Sequence, residues 1–305
     1  MIIDAANKTI KEIKWDLSAM VEFIRFRDWT LLKYLILKDI FKLLNLKNKH
    51  QIYFNKYFND TSTAYIKDYN LKVIHRRYDS LKEILIEKQY FDVAYFIPVE
   101  SQIVLDIGAN IGEYSLIASR LVGNLGKVFA IEPNTNSFNI LERNIELNNI
   151  KNIISINMAV TDSTNDKITL YEMDTPTVTT MLIIEGKQNS KNSYMVKTIK
   201  IDDLIRSTNI NRLDLLKIDV EGAEVLVLNG ALEAIAKYKP NIIIEVHLKN
   251  NREKIIGILC RRFGYKVNYE RITDNFVDTR GLFDYLSLMY LSNKKVKNEN
   301  PHDNF

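Results

Sequence analysis

Cysteine is nearly absent: the 305 residues include one, Cys260. A lone thiol cannot close an intrachain disulfide, so no disulfide framework staples this fold, which suits a reducing compartment. Zinc-ligand spacings, a GK[ST] phosphate loop and a G-x-S-x-G nucleophile elbow are also missing, and the hydrolase and kinase readings lack their chemistry with them. No apolar run reaches the ~18 residues that a membrane-spanning helix needs. The opening MIIDAANKTIKEIKWD mixes charges with apolar residues where a signal peptide would follow charge with a hydrophobic block, so a cytoplasmic location is expected.

With 46% apolar residues the chain can bury a large core. We expect one catalytic domain over residues 96–293, a helical N-terminal extension over 1–95 that caps it or contributes to acceptor binding, and a disordered basic tail over 294–305. Trp29 to Lys49 reads as an amphipathic helix carrying Lys33, Lys38 and Lys42. Packing over the core is favoured for it above peripheral contact with a membrane surface. Leu81 to Phe96 reads as a second helix leading into the sheet. The net charge of +4 is dispersed apart from NKKVK at 293–297, so a nucleic-acid partner is not expected. Nothing in the sequence fixes an oligomeric state.

Glycine is scarce too, 10 in all, yet two of them stand four apart in VLDIGANIG at 104–112. A short apolar run ends at Asp106, the turn Gly108-Ala109-Asn110-Ile-Gly112 follows, and EYSLIASRLV begins a helix: strand, tight turn, helix start, the arrangement that holds a nucleotide-like cofactor in an open α/β sheet. Dinucleotide binders want G-x-G-x-x-G against a pyrophosphate, and that spacing is not met here. A carboxylate at Asp106 repels phosphate and suits a cationic ligand. KVFAIEPN at 127–134 supplies a second strand that stops at Glu132-Pro133, roughly 20 residues past the turn, where an acid can accept both ribose hydroxyls. S-adenosylmethionine, with a sulfonium and an ammonium group and no phosphate, satisfies both features.

Further strands recur at α/β spacing, at 152–162, 213–224 and 241–248, separated by helical stretches at 136–149, 224–238 and 252–264. Past Gly264, YKVNYE and Leu282 to Leu291 read as two closing strands with no helix between them. The fold expected is α/β, a mostly parallel Rossmann-like sheet with an antiparallel closing strand.

At this point the residues resemble the FkbM-type S-adenosylmethionine-dependent methyltransferases, which methylate hydroxyls of sugars and other metabolites. The resemblance rests on DIGANIGEYS at 106–115, AIEPN at 130–134, NMAVTD at 157–162, YMVKTIKIDDLI at 194–205, LLKIDVEGAEVLVLNG at 215–230 and IIIEVH at 242–247. It implies a class I methyltransferase sheet. By matching, Asn110 is expected to hydrogen-bond the methionine end from a left-handed conformation, with Tyr114 and Ser115 following on the helix. Ala159 is expected to meet the adenine, with Asp162 reaching its amino group.

A neutral hydroxyl acceptor must lose its proton as the new bond forms, which calls for a base of suitable pKa. Of the four histidines, at 50, 75, 247 and 302, only His247 ends a sheet strand, and Glu245 two residues before it shares its face and could orient the imidazole. Asp219 and Glu221, also two apart, are expected to face the transferred methyl. They could bind an acceptor hydroxyl or amine, act as base or ligate a cation; no metal site is assigned. Glu221 and Glu224 can equally be read as favourable charge at a helix start. The threonine-rich 175–186 reads as a hairpin or lid near the acceptor.

The function expected is transfer of a methyl group from S-adenosylmethionine to a hydroxyl oxygen of a small-molecule or glycan acceptor. The alternatives are a tRNA or rRNA methyltransferase, a non-catalytic S-adenosylmethionine-binding scaffold and, more distantly, an NAD-dependent dehydrogenase.

Overall fold

A computed structural model of the chain describes residues 62–75, 89–91, 93–172, 179–180, 192–273 and 285–294. The chain divides into two units, Met1–Gln89 and Tyr90–Phe305. In the first, β1 (Ser62–Ile66) and β2 (Leu71–His75) form an antiparallel hairpin, turned at Asn70 with φ 50°. Alternate residues Ala64, Ile66, Leu71 and Val73 are buried, the period-2 pattern of a half-covered sheet. The helix expected at 29–49, most of that at 81–96, and residues 295–305 of the tail lie outside the described residues. Ala94–Phe96 make a single 3-10 turn.

The second unit is built on a seven-stranded sheet. In chain order its strands are β3 (Ile103–Ile107), β4 (Lys127–Ile131), β5 (Ile153–Ile156), β10 (Leu215–Ile218), β11 (Asn241–Val246), β12 (Lys266–Ile272) and β13 (Ser287–Ser292). Across the sheet they lie β12-β13-β11-β10-β3-β4-β5. The five adjacent strands from β11 to the β5 edge run parallel, and β13 is antiparallel to both neighbours. Such a strand needs no crossover helix, which is why the sequence shows none before it.

Alternation along these strands sorts the side chains onto two faces. Leu105, Ile107, Phe129, Ile131, Leu216, Ile218, Ile242 and Ile244 share one buried core. Helices α3 (Ile201–Ser207), α4 (Glu224–Asn229) and α5 (Leu232–Tyr238) supply Ile205, Val227 and Ile235 to the same core. The intervening positions, Asp106, Lys217 and Glu245 among them, therefore face the opposite side.

One helix was expected over 224–238, and the structure breaks it at Gly230-Ala231. A Cβ on Gly230 would stand 2.0 Å from the Thr161 carbonyl oxygen, so the chain there runs against the neighbouring backbone and must turn. The new start, α5, is capped from outside: the Asp202 carboxylate accepts from the Glu233 and Ala234 amides at 3.1 and 2.8 Å. The helix expected over 252–264 begins earlier, as α6 (Lys249–Ile256), and continues as a wider π-helical stretch, Gly257–Arg262.

A smaller sheet carries β6 (Ala159–Val160), β9 (Asn192–Ile199), β7 (Lys167–Glu172) and β8 (Thr179–Thr180), in that order. β7 and β9 pair antiparallel. Apart from β8, the stretch 175–186 lies outside the described residues.

Candidate functional site

The carboxyl ends of β3, β4 and β10 open into a cleft enclosing about 670 Å³, part of it open to solvent. Strand carboxyl ends are where open α/β sheets place their ligands.

Its first wall is made by backbone. The amides of Gly108 and Ala109 donate to the Ile131 carbonyl at 2.9 and 3.0 Å, tying the glycine turn to β4. Gly108 has φ 81°, and a Cβ there would stand 1.8 Å from the Asp219 carbonyl oxygen, so no other residue fits. Gly112, also left-handed, caps α1 (Glu113–Val122). Buried Asn144, on α2 (Thr135–Leu147), holds the turn from behind, donating to the Ile111 carbonyl at 2.9 Å.

Glu132 closes this wall. Its two oxygens accept from the Asn110 and Asn134 amides, each at 2.8 Å. The carboxyl group is 6% exposed, and burial pushes it up to about 7 against the pull of those two amides. Asn157 fixes the following loop by donating to the Glu132 and Pro133 carbonyls. Asn110 is left-handed at φ 52°. Its Oδ1 is buried with no hydrogen-bond partner among the described residues, a costly state for a polar atom unless a ligand meets it.

Of the residues singled out from the sequence, Gly108, Asn110, Glu132, Pro133 and Ala159 line the cleft, and Asp219 and Glu221 line it beside them. Asp106, Ala109, Gly112, Tyr114 and His247 do not. Asp162 is exposed.

Asp106, expected to offer its carboxylate to a cationic ligand, is instead 0% exposed and paired within the protein. Lys217, its register partner on β10, reaches it at 3.0 Å, and the Ser115 hydroxyl donates to it at 2.6 Å. Burial opposes the charge on Lys217, but Asp106 and Asp219 overcome that and raise its pKa. Tyr114 packs under the turn, stacked on Phe91 with ring centres 5.3 Å apart and edge-on to Tyr90 at 5.8 Å.

The second wall is made by side chains. The strand before Asp219 ends at Ile218, so Asp219–Gly222 is a turn, with Glu221 at φ 50° and Gly222 at φ 101°. The pairing of Asp219 with Glu221 therefore comes from this turn, where strand alternation had been expected. His247, just past β11, is 4% exposed. Its Nδ1 lies 3.0 Å from Glu224 Oε1, and its Nε2 lies 3.7 Å from Glu221, 3.7 Å from Glu245 and 3.9 Å from Asp219. Glu245 was expected to orient the ring; Glu224 does so.

Fully buried Glu224 also accepts from the Gly222 amide at 2.8 Å and from Asn251 at 2.6 Å, so it acts as the bracket of the turn. Burial alone would lower the His247 pKa, but Glu221, the bond to Glu224 and the charge of Glu245 hold it up at about 10. An imidazole that keeps its proton through the neutral range cannot take one from a substrate, so the base role expected of His247 does not suit this setting.

Tyr90 stands behind Asp219, its hydroxyl 2.5 Å from Glu245 Oε2 and 3.0 Å from Asp219 Oδ2. Burial, then the charge of Asp219, pushes the Glu245 carboxyl up to about 7. Tyr90, Lys217 and Glu224 were not foreseen as parts of the site. Lys217 had a visible signal: a cation in the apolar strand LDLLKID needs a buried partner.

The sheet order, its single antiparallel strand and the cleft at the parallel strands' carboxyl ends define a class I methyltransferase fold. The chain belongs to the FkbM methyltransferase family: that family's model, described as "Methyltransferase FkbM domain", matches residues 106–277. "Methyltransferase 1" of Beauveria bassiana is 30% identical over 208 residues, 62% of this chain and 81% of that protein. "Hexuronic acid methyltransferase AglP" of Haloferax volcanii is 29% identical over 150 residues, 48% of this chain and 57% of that protein. Among solved structures, the FkbM methyltransferase of Methylobacillus flagellatus KT aligns at 19% identity with a TM-score of 0.42, covering 67% of this chain and 47% of that one. Among the described residues no helix is long and apolar enough to cross a membrane.

Proposed function

We propose that this methyltransferase draws its methyl group from S-adenosylmethionine and delivers it to a hydroxyl oxygen of a small-molecule or glycan acceptor. One observation carries the reading: a single cleft holds Glu132 and the orphaned Asn110 Oδ1 on one wall and the Asp219 and Glu221 carboxylates on the other. The first pair suits a ribose and a polar tail. The second suits a cationic sulfur and the acceptor beside it. The relative named as a hexuronic acid methyltransferase supports a sugar-acid class of acceptor.

Bound there, S-adenosylmethionine would supply a methyl group on a positively charged sulfur, ready for in-line displacement. Each Glu132 oxygen receives one backbone amide and keeps a lone pair for a ribose hydroxyl. The Gly108–Gly112 backbone leaves room for the ligand because no side chain projects from the turn's tightest point. Glu221, about a quarter exposed on the cleft, is placed to receive the acceptor's proton.

Calorimetry with S-adenosylhomocysteine tests the cofactor, using NAD as control. Micromolar binding to the wild type that is lost in Glu132→Ala is expected; no binding to the wild type would sink the reading. Methyl release should then appear with hexose and hexuronate acceptors. Release on RNA alone would transfer the assignment to nucleic acid, and cofactor binding without release on either class would leave a scaffold.

A further inference from the structure

We propose that Asp219, Glu245 and His247 form a divalent-cation site behind the Asp219 edge of the cleft, suited to manganese, whose role is to chelate two neighbouring oxygens of the acceptor. One donor atom from each of the three lies within 4.8 Å of the others. The approach distances are informative. From His247 Nε2 to Asp219 Oδ1 and Glu245 Oε1 they are 3.9 and 3.7 Å, too long for hydrogen bonds. Two donors each ~2.1 Å from a common ion lie ~3.4 Å apart at a tetrahedral angle and ~3.0 Å apart at a right angle, so a small inward adjustment closes the set.

Each donor is held by its other atom. His247 Nδ1 is fixed by Glu224, the carboxylate–histidine arrangement that sets the ring of a metal ligand. Asp219 Oδ2 and Glu245 Oε2 are both engaged by the Tyr90 hydroxyl, which leaves Oδ1 and Oε1 aimed toward Nε2. Glu224 is itself fixed by Asn251 and the Gly222 amide. Lys217 lies 3.8 Å from Asp219 on that same Oδ2, so its charge sits on the far side of that carboxylate from Oδ1.

Imidazole with two carboxylates is a mixed nitrogen and oxygen set, which manganese accepts while magnesium prefers oxygen alone. An ion at Nε2 stands where the imidazolium proton stands, so the cage keeps its positive centre. Asp219 lines the cleft, so the ion's remaining positions open toward the acceptor. A carboxylate such as Glu221 is a weak base toward an alcohol, and coordination to a divalent ion makes the alcohol more acidic. The substrate class that follows is a vicinal diol or α-hydroxy acid, as found on sugars and uronic acids. This use of the ion rests on the methyltransferase reading; the ion site does not.

The test uses the full chain stripped with a chelator and titrated with manganese chloride, with no cofactor or acceptor present. Calorimetry, together with loss of the free-ion paramagnetic resonance signal, should show one ion per chain. Binding should weaken at least tenfold in Asp219→Asn and in Glu245→Gln, each checked for a wild-type unfolding transition. A measurement on the wild type alone guards against variants that fail to fold: bound manganese must broaden the ring protons of His247 more than those of His50, His75 or His302. No saturable binding below millimolar concentration overturns the proposal, as does binding that both folded variants retain, or broadening spread over all four histidines. S-adenosylhomocysteine binding without manganese binding would remove the ion and leave the methyltransferase reading; the reverse would do the opposite.

Discussion

The two walls of the cleft are made of different material. The Gly108–Gly112 and Glu132 wall is backbone: amides, left-handed turns and one carboxylate that accepts main-chain donors. The Asp219–His247 wall is side chains from several elements, with buried Glu224 and Tyr90 deciding where each polar atom points. A backbone wall is specified by residues adjacent in sequence and tolerates change wherever the main chain is unaffected. A side-chain wall is specified by residues far apart, and it fails when any of its charges loses a partner.

The sharpest break of the backbone wall is Gly108→Ala. A Cβ at 1.8 Å from a carbonyl oxygen cannot be accommodated by a rotamer change, and φ 81° is strained for any residue with a side chain. The expected outcome is little or no folded protein, which thermal unfolding of the purified variant checks. A stable Gly108→Ala that binds S-adenosylhomocysteine normally would mean that the turn is far looser than its hydrogen bonds imply.

Next in size is Lys217→Met, directed at the side-chain wall. It leaves Asp106 buried opposite an apolar neighbour, at a cost of about 3 to 5 kcal/mol. Adding Asp106→Asn should recover a large share of that loss, because an uncharged amide can still pair with Ser115. Chemical denaturation of the two single variants and the double gives the coupling directly. Additive losses would show that the pair is not the unit described here.

This contrast also explains what was legible in the sequence. The strands, the glycine turn and Glu132 could be read because each is written locally: an apolar run, two glycines four apart, an acid before a proline. The antiparallel closing strand followed from a missing helix. Glu224 was read as a charge favouring a helix start, because its partners His247 and Asn251 lie more than 20 residues away. Asp106 was misjudged for the same reason: its neutralising lysine sits on β10, and only the strand register brings the two together. The break at Gly230 reflects contact with Thr161, which helical periodicity cannot express.

A third prediction sharpens the comparison through pH. The Glu132 carboxyl is raised from 4.5 to about 7 by burial, so the folded state holds its proton more tightly than the unfolded chain does. Its favourable contribution is fully present below pH 4.5 and is lost as the pH rises through 7, a change of about 3 kcal/mol. Ligand-free protein should therefore melt at progressively lower temperature from pH 5 to 8, while S-adenosylhomocysteine binds more tightly over the same range as the carboxylate becomes the acceptor of ribose hydroxyls. Glu132→Gln should flatten the binding curve and remove Glu132's share of the melting slope, leaving the share of Glu245, which burial also raises to about 7; a variant whose two slopes are both unchanged would assign the titration to another group.

Asn110→Gly has the smallest expected effect on stability and gives the cleanest division between fold and function. Glycine adopts φ 52° at least as readily as asparagine, and the backbone amide that donates to Glu132 survives the substitution. What disappears is Oδ1, a buried acceptor with no partner among the described residues. Removing an unsatisfied atom costs the empty protein nothing, so its stability should change by about 0.5 kcal/mol or less. If that atom is reserved for the polar tail of the cofactor, S-adenosylhomocysteine affinity should nevertheless fall about tenfold, equal to ~1.4 kcal/mol. Unchanged affinity would make Asn110 a turn residue only, and the backbone wall would then bind its ligand through main chain and Glu132 alone.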